Sequence, residues 1–206
     1  MTKVQYSFAQ LGESEIFEPY LSSELKKNSD LWKPTEFELP LNDPGLAAAF
    51  LTLIQPDAVF YVPRFSGRSF ESKSANYLAA LSQALETKEA LLVSWLQPEE
   101  SIPPFISCEL IRLPEVFYCS STKNLITDWI DKILSRKRIT VSGNKPLRLI
   151  GRHLLVQMTV AAALKCLAHP GFDGVYKLAA NGETSLFELV SFIHSTLARL
   201  LPNHKL

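Results

Sequence analysis

Glycine is scarce in this chain. It supplies eight of 206 residues, and a single one, Gly12, in the stretch VQYSFAQLGESEIFEPYL at 4–21. A phosphate loop of ordinary composition relies on several glycines for its tight turn and close backbone approach, so that kind of loop is not written at this first strand–helix junction. Cysteine is sparse as well. Cys108, Cys119 and Cys166 form no Cys-x-x-Cys pair and are too few for a disulfide scaffold, which argues for a reducing, cytoplasmic compartment. An excess of one charge is missing too: Lys plus Arg and Asp plus Glu both number 21, so no overall field draws nucleic acid or an anionic membrane. The longest apolar run, GLAAAFLTLI at 45–54, is far short of a membrane span, and MTKVQYSFAQ has no apolar signal core. Neither secretion nor membrane insertion is expected. The four histidines, His153, His169, His194 and His204, lack metal-ligand spacing, so no metal site is expected.

What is present is an alternation of strand and helix patterns. VQYSFA (4–9) reads as a strand and 14–27 as an amphipathic helix interrupted by Pro19, with a weak strand near 37–41. Asp43 and Pro44 open a helix whose apolar face runs through Leu46, Phe50 and Leu53. DAVFYVP (57–63) and ALLVSWL (90–96) are continuous apolar runs of the kind that is covered on both faces of a parallel sheet. Between them, 71–88 reads as a helix with Tyr77, Leu78, Leu81 and Leu85 on one face. Strands at 109–118, 139–144 and 174–179 and helices at 124–136 and 153–168 follow. A last helix opens on Ser185 and Glu188 at capping-box spacing, with Leu186, Leu189, Val190, Ile193 and Leu197 on one face. The order βαβαβ predicts an α/β, Rossmann-like, doubly wound and mostly parallel sheet with a small C-terminal α/β portion. It is read as one domain over 1–206, with a βαβαβ core at 1–96 and the remaining strands and helices at 109–206.

Three stretches carry a resemblance: LPLNDPGLAAAFLTLIQPDAVFYVP (39–63), KPLRLIGRHLLVQMTVAAAL (145–164) and GFDGVYKLAANGETSLFELVSFI (171–193). They resemble the extended short-chain dehydrogenase/reductases, the NAD-dependent epimerase/dehydratase superfamily, and within it the dTDP-4-dehydrorhamnose reductase branch. The resemblance implies a dinucleotide turn after the first strand and a catalytic Tyr-x-x-x-Lys. It also places the later basic region near a sugar-nucleotide site, and Ser94 resembles the catalytic Ser/Thr position.

The chain departs from the pattern at both motifs. SFAQLGES keeps only Gly12, with Glu13 and Glu15 beside the expected phosphate. It reads better as an ordinary helix start, where carboxylates are favoured, than as a working loop. Tyr118 and Lys123 stand five apart rather than four, after a strand, and the connector 97–108 carries three prolines where the family has its catalytic helix. Without a base, Ser94 reads as a buried serine bonded to backbone. Lys132, Arg136, Lys137, Arg138, Lys145, Arg148 and Arg152 form an acid-free run, whereas residues 1–60 carry nine acids against four bases. Arg148 and Arg152, with Lys145, are candidates for a phosphate or sugar nucleotide; a solvated helix end is the plainer account.

The expectation is a Rossmann-like binding or regulatory protein that has lost NAD(P)-dependent activity and has no catalytic residues. A homodimer or protein partner is expected to cover the helix of Tyr77, Leu81 and Leu85. The alternative is an atypical NAD(P)- or sugar-nucleotide-binding reductase or epimerase, for which Gly12 and Ser94 are the cofactor-side candidates. A bound cofactor is not expected under the first reading, and nucleic acid under neither.

Overall fold

The computed structural model describes residues 6–12, 17, 20–27, 29–35, 37–40, 43–62, 65–66, 69–70, 72–86, 90–96, 109–112, 116–118, 125–141, 146, 149–169, 171–172, 174–178 and 182–202. In chain order the elements are β1 (Tyr6–Leu11), α1 (Tyr20–Leu25), β2 (Ser29–Trp32), α2 (Pro44–Ile54), β3 (Ala58–Tyr61), β4 (Phe65–Ser66), β5 (Ser69–Phe70), α3 (Ser72–Glu86) and β6 (Leu91–Leu96). They continue with β7 (Glu109–Arg112), β8 (Val116–Tyr118), α4 (Leu125–Leu134), β9 (Leu149–Gly151), α5 (Arg152–Ala168), β10 (Val175–Lys177) and α6 (Leu186–Leu200). The chain divides into two compact units, 1–113 with 153–178, and 114–152 with 179–206. Where the sequence reads as one domain divided near 96–109, the units interleave, because 153–178 returns to the first and its strand joins the first unit's sheet.

The first unit is built on a six-stranded sheet in the order β10-β7-β6-β3-β1-β2, and every neighbouring pair is parallel. This is the doubly wound arrangement that the alternation predicts. β3, paired to β1 on one side and β6 on the other, is buried along its whole length, as its unbroken AVFY run requires. One face of the sheet packs Ala9, Leu11, Val59, Tyr61 and Leu92 against Ala47 and Leu51 of α2 and Tyr77, Leu78, Leu81 and Leu85 of α3. The other face holds Phe8 against Phe60, with ring centroids 5.4 Å apart, and Phe17 against Trp95 at 4.4 Å. α1 and α5 meet through Tyr20 and His153, stacked at 5.3 Å.

Four expectations are corrected. Residues 37–40 form no strand, and 41 lies outside the described residues: Phe37 is 96% exposed, and the Glu38 carboxylate accepts from the Thr35 amide (2.8 Å) and hydroxyl (2.9 Å), which closes a turn instead. The second strand is the more polar SDLW at 29–32, paired from Tyr6↔Ser29 to Ala9↔Trp32. α2 is capped by Asp43 as expected, the carboxylate accepting from the Leu46 amide at 3.1 Å, but Leu46 and Leu53 are exposed while Ala47 and Leu51 are buried. The stretch 109–118 holds two strands, β7 in the six-stranded sheet and β8 paired in parallel with β9, so the partner of the later segment is 149–151. Residues 139–141 form no strand, and 142–144 lie outside the described residues. Tyr77, Leu81 and Leu85 of α3 are themselves buried within the chain, in one cluster with the sheet and α2.

In the second unit Trp129 and Ile133 of α4 pack with Leu189 and Ile193 of α6. α6 opens on the expected capping box: the Glu188 amide donates to Ser185 Oγ (3.1 Å) and the Ser185 amide to the Glu188 carboxylate (2.7 Å). Among the described residues, no helix is long and apolar enough to cross a membrane.

Candidate functional site

Parallel α/β sheets bind ligands beyond the carboxyl ends of their strands, where successive connections leave in opposite directions. Here that point lies between β1 and β3, because β2 flanks β1 on one side and the chain crosses back to place β3 on the other. Leu11 and Tyr61 are register partners there, and the Val62 amide donates to the Leu11 carbonyl at 2.8 Å. Gly12 follows at once with φ 81°, a left-handed conformation that glycine adopts without strain. Gly12 is the one glycine that this stretch retains, and residues 13–16 after it lie outside the described residues.

Buried side chains on and near these strands make contacts of their own. Gln10 is fully buried, its carbonyl oxygen accepting from Ser22 Oγ of α1 at 3.0 Å. Phe17 is fully buried against Trp95, so an aromatic pair fills the space beside the end of β6. Ser94 Oγ donates to the Tyr61 carbonyl at 3.1 Å in a site that excludes water. This is the backbone-bonded serine expected of the residue that resembles a catalytic position. Among the described residues the Trp95 indole N–H and the Tyr77 hydroxyl, both buried, have no hydrogen-bond partner. Tyr118 lies on β8, a strand, so the Tyr118–Lys123 spacing is not that of one helical turn; Lys123 lies outside the described residues, as does the connector 97–108.

The basic run contributes a second concave place, wholly inside the second unit. An open groove of about 540 Å³ lies between the end of α4 and the middle of α6. Ile133, Ile139 and Val190 supply its apolar lining, and Arg136, Lys137, Ser191 and His194 its polar lining. Of the sequence candidates, Arg152 is half-buried at the first residue of α5, and Lys145 and Arg148 lie outside the described residues. Arg136, Lys137 and His194, read from sequence as a solvated helix end and an unassigned histidine, are the ones the groove brings together. α4 ends in a Schellman turn, with the Lys137 amide donating to the Lys132 carbonyl (2.8 Å) and the Arg136 amide to that of Ile133 (3.0 Å). Arg136 takes the left-handed position of that turn, at φ 55°, where glycine is usual and another residue costs about 1 kcal/mol. Among the described residues no cluster of three or more His, Cys, Asp or Glu side chains could hold a metal ion.

By sequence, no family model and no curated protein matches the chain. By backbone, solved structures match nearly all of it. A dTDP-4-dehydrorhamnose reductase from Bacillus anthracis str. Ames, in complex with NADP, superposes with a TM-score of 0.70 at 14% identity, over 94% of this chain and 81% of that one. The chain shares the Rossmann-type fold of this reductase. A hypothetical dTDP-4-dehydrorhamnose reductase from Sulfolobus tokodaii gives 0.69 at 15% identity, over 92% and 82%. The GDP-mannoheptose C4 reductase of Campylobacter jejuni, with NADP bound, gives 0.65 at 11%, over 94% and 84%. The backbone arrangement of these reductases is thus shared at 11–15% identity.

Proposed function

We propose that the chain is an atypical nucleotide-binding member of the reductase fold, holding NAD(P) or a sugar nucleotide at the carboxyl edge of its sheet in a rearranged turn. The observation that carries this reading is Gly12, left-handed and directly after β1 at the switch point between β1 and β3. A side chain there would strain the turn and crowd a pyrophosphate approaching the backbone. NADP in the Bacillus anthracis and Campylobacter jejuni structures supports the choice of ligand. The dinucleotide would supply a transferable hydride; this chain's contribution would be to hold and orient it. The test is calorimetric titration of nucleotide-free protein with NAD, NADH, NADP and NADPH. At least one is expected to bind, and Gly12→Val to weaken it tenfold or more while the protein still folds. No binding by any of the four to folded protein removes the reading.

A second reading, a binding or regulatory protein without reductase chemistry, draws on Ser94. Its hydroxyl proton is engaged by the Tyr61 carbonyl in a buried site instead of being offered to a substrate. It predicts cofactor binding without turnover of dTDP-4-dehydrorhamnose, and measurable NADPH oxidation with that sugar nucleotide would exclude it.

A further inference from the structure

We propose that the groove between α4 and α6 is a separate ligand site, for a small phosphomonoester with an apolar or aromatic body. Three observations converge on it. The donors differ in kind and line one groove: a guanidinium at Arg136 and an ammonium at Lys137 from the end of α4, and on α6 the Ser191 hydroxyl and the His194 imidazole, three positions apart and so on one helical face. Among the described residues no carboxylate lines the groove. A phosphate with several acceptor oxygens uses such a mixed set more fully than a carboxylate, and arginine suits it by its planar fork.

The second observation is the lining of Ile133, Ile139 and Val190 in a volume of about 540 Å³, within the range of small-molecule sites. An inorganic anion would leave that surface unused. The third is the backbone of Arg136. A glycine would close the same Schellman turn without strain, yet the chain places there the residue that best recognises phosphate. The strain is accounted for if the guanidinium is needed in the groove.

That backbone also supplies the test. Arg136→Gly removes the guanidinium and the strain together, so stability and binding should move in opposite directions. The full chain is titrated by calorimetry with naphthyl phosphate and with naphthol, its phosphate-free parent. Naphthyl phosphate is expected to bind, and naphthol at least tenfold more weakly. Arg136→Gly is expected to keep or raise the melting midpoint while weakening naphthyl phosphate about ten- to hundredfold, the range for a hydrogen bond to a charged group. Lys137→Gln, which leaves the backbone turn alone, should weaken it in the same direction. Unchanged affinity in both variants, equal binding of naphthol, or no binding at all overturns the proposal. So does tight, steeply salt-dependent binding of a single-stranded oligonucleotide where naphthyl phosphate fails, which would make the basic wall a nucleic-acid contact. The proposal is independent of the cofactor reading: Gly12→Val should leave naphthyl phosphate unaffected.

Discussion

The Tyr77 hydroxyl is buried with no hydrogen-bond partner among the described residues, its ring 5.2 Å from that of Tyr61. Burial above all, then Tyr61 and the Asp43 carboxylate, holds its phenol well above the ordinary tyrosine range. The unfolded chain loses this proton near the ordinary ~10 while the folded chain keeps it, so stability falls as pH rises past that point and is unaffected below it. Tyr77→Phe is therefore expected to raise stability by about 1 kcal/mol at neutral pH, since it discards an unpaired buried polar group. The gain should widen in alkali. Urea denaturation at neutral and alkaline pH checks both, and equal stability throughout would show that the hydroxyl is satisfied. Ser94 is the contrasting case. Its hydroxyl has a partner, so Ser94→Ala should cost about 1 kcal/mol by the same measurement. The Ser94 role was legible in the sequence because a lone serine in an apolar strand has only backbone to bond. The orphaned Tyr77 hydroxyl was not, because Tyr at a core position reads only as apolar bulk.

Helix ends in this chain follow their sequence more closely than helix faces do. Ser185 and Glu188 announce α6, and the box forms as written. Ser185→Ala is expected to cost about 1 kcal/mol. Hydrogen bonds from the Ser185 backbone first, and then from its side chain, hold the Glu188 carboxyl below its usual range. Its contribution is therefore present above the ordinary carboxylate pKa and is lost as pH falls through the depressed one. A Ser185→Ala penalty that shrinks in acid thermal melts is the expected outcome. The faces are harder. α2, PGLAAAFLTLI, has no charged residue, so more than one of its faces scores as apolar, and only the sheet decides that Ala47 and Leu51 go inward. Leu51→Ala should cost about 2–5 kcal/mol, whereas Leu53→Ser, at an 83% exposed position, should cost little. The end of α4 carried a signal that sequence reading passed over: ILSRKR stops a helix without glycine, which forces some other residue into the left-handed turn.

At the scale of the molecule, pattern located the parallel sheet because β3 is an unbroken apolar run and β6 is one apart from Ser94, and chain order then fixed their neighbours. Two features lay beyond it. β2 is half polar, with alternating half-exposed and exposed positions, because an edge strand needs little apolar surface. The return of β10 to β7 joins segments more than sixty residues apart in sequence, a pairing that no local period encodes. The strand order makes a prediction that pattern alone does not. Amides of β3 and β6 lie in ladders paired on both sides and covered by fully buried side chains such as Val59, Phe60 and Val93, so they open only with the sheet as a whole. β2 and β10 have a single neighbour each, and Trp32 and Val175 on them are 50% and 43% exposed. Hydrogen exchange read by mass spectrometry should therefore protect 58–61 and 91–96 most and release 29–32 and 175–177 first. If 29–32 exchanged as slowly as 58–61, β2 would have to be covered by another strand or chain, and the order that places the switch point beside Gly12 would need to be redrawn.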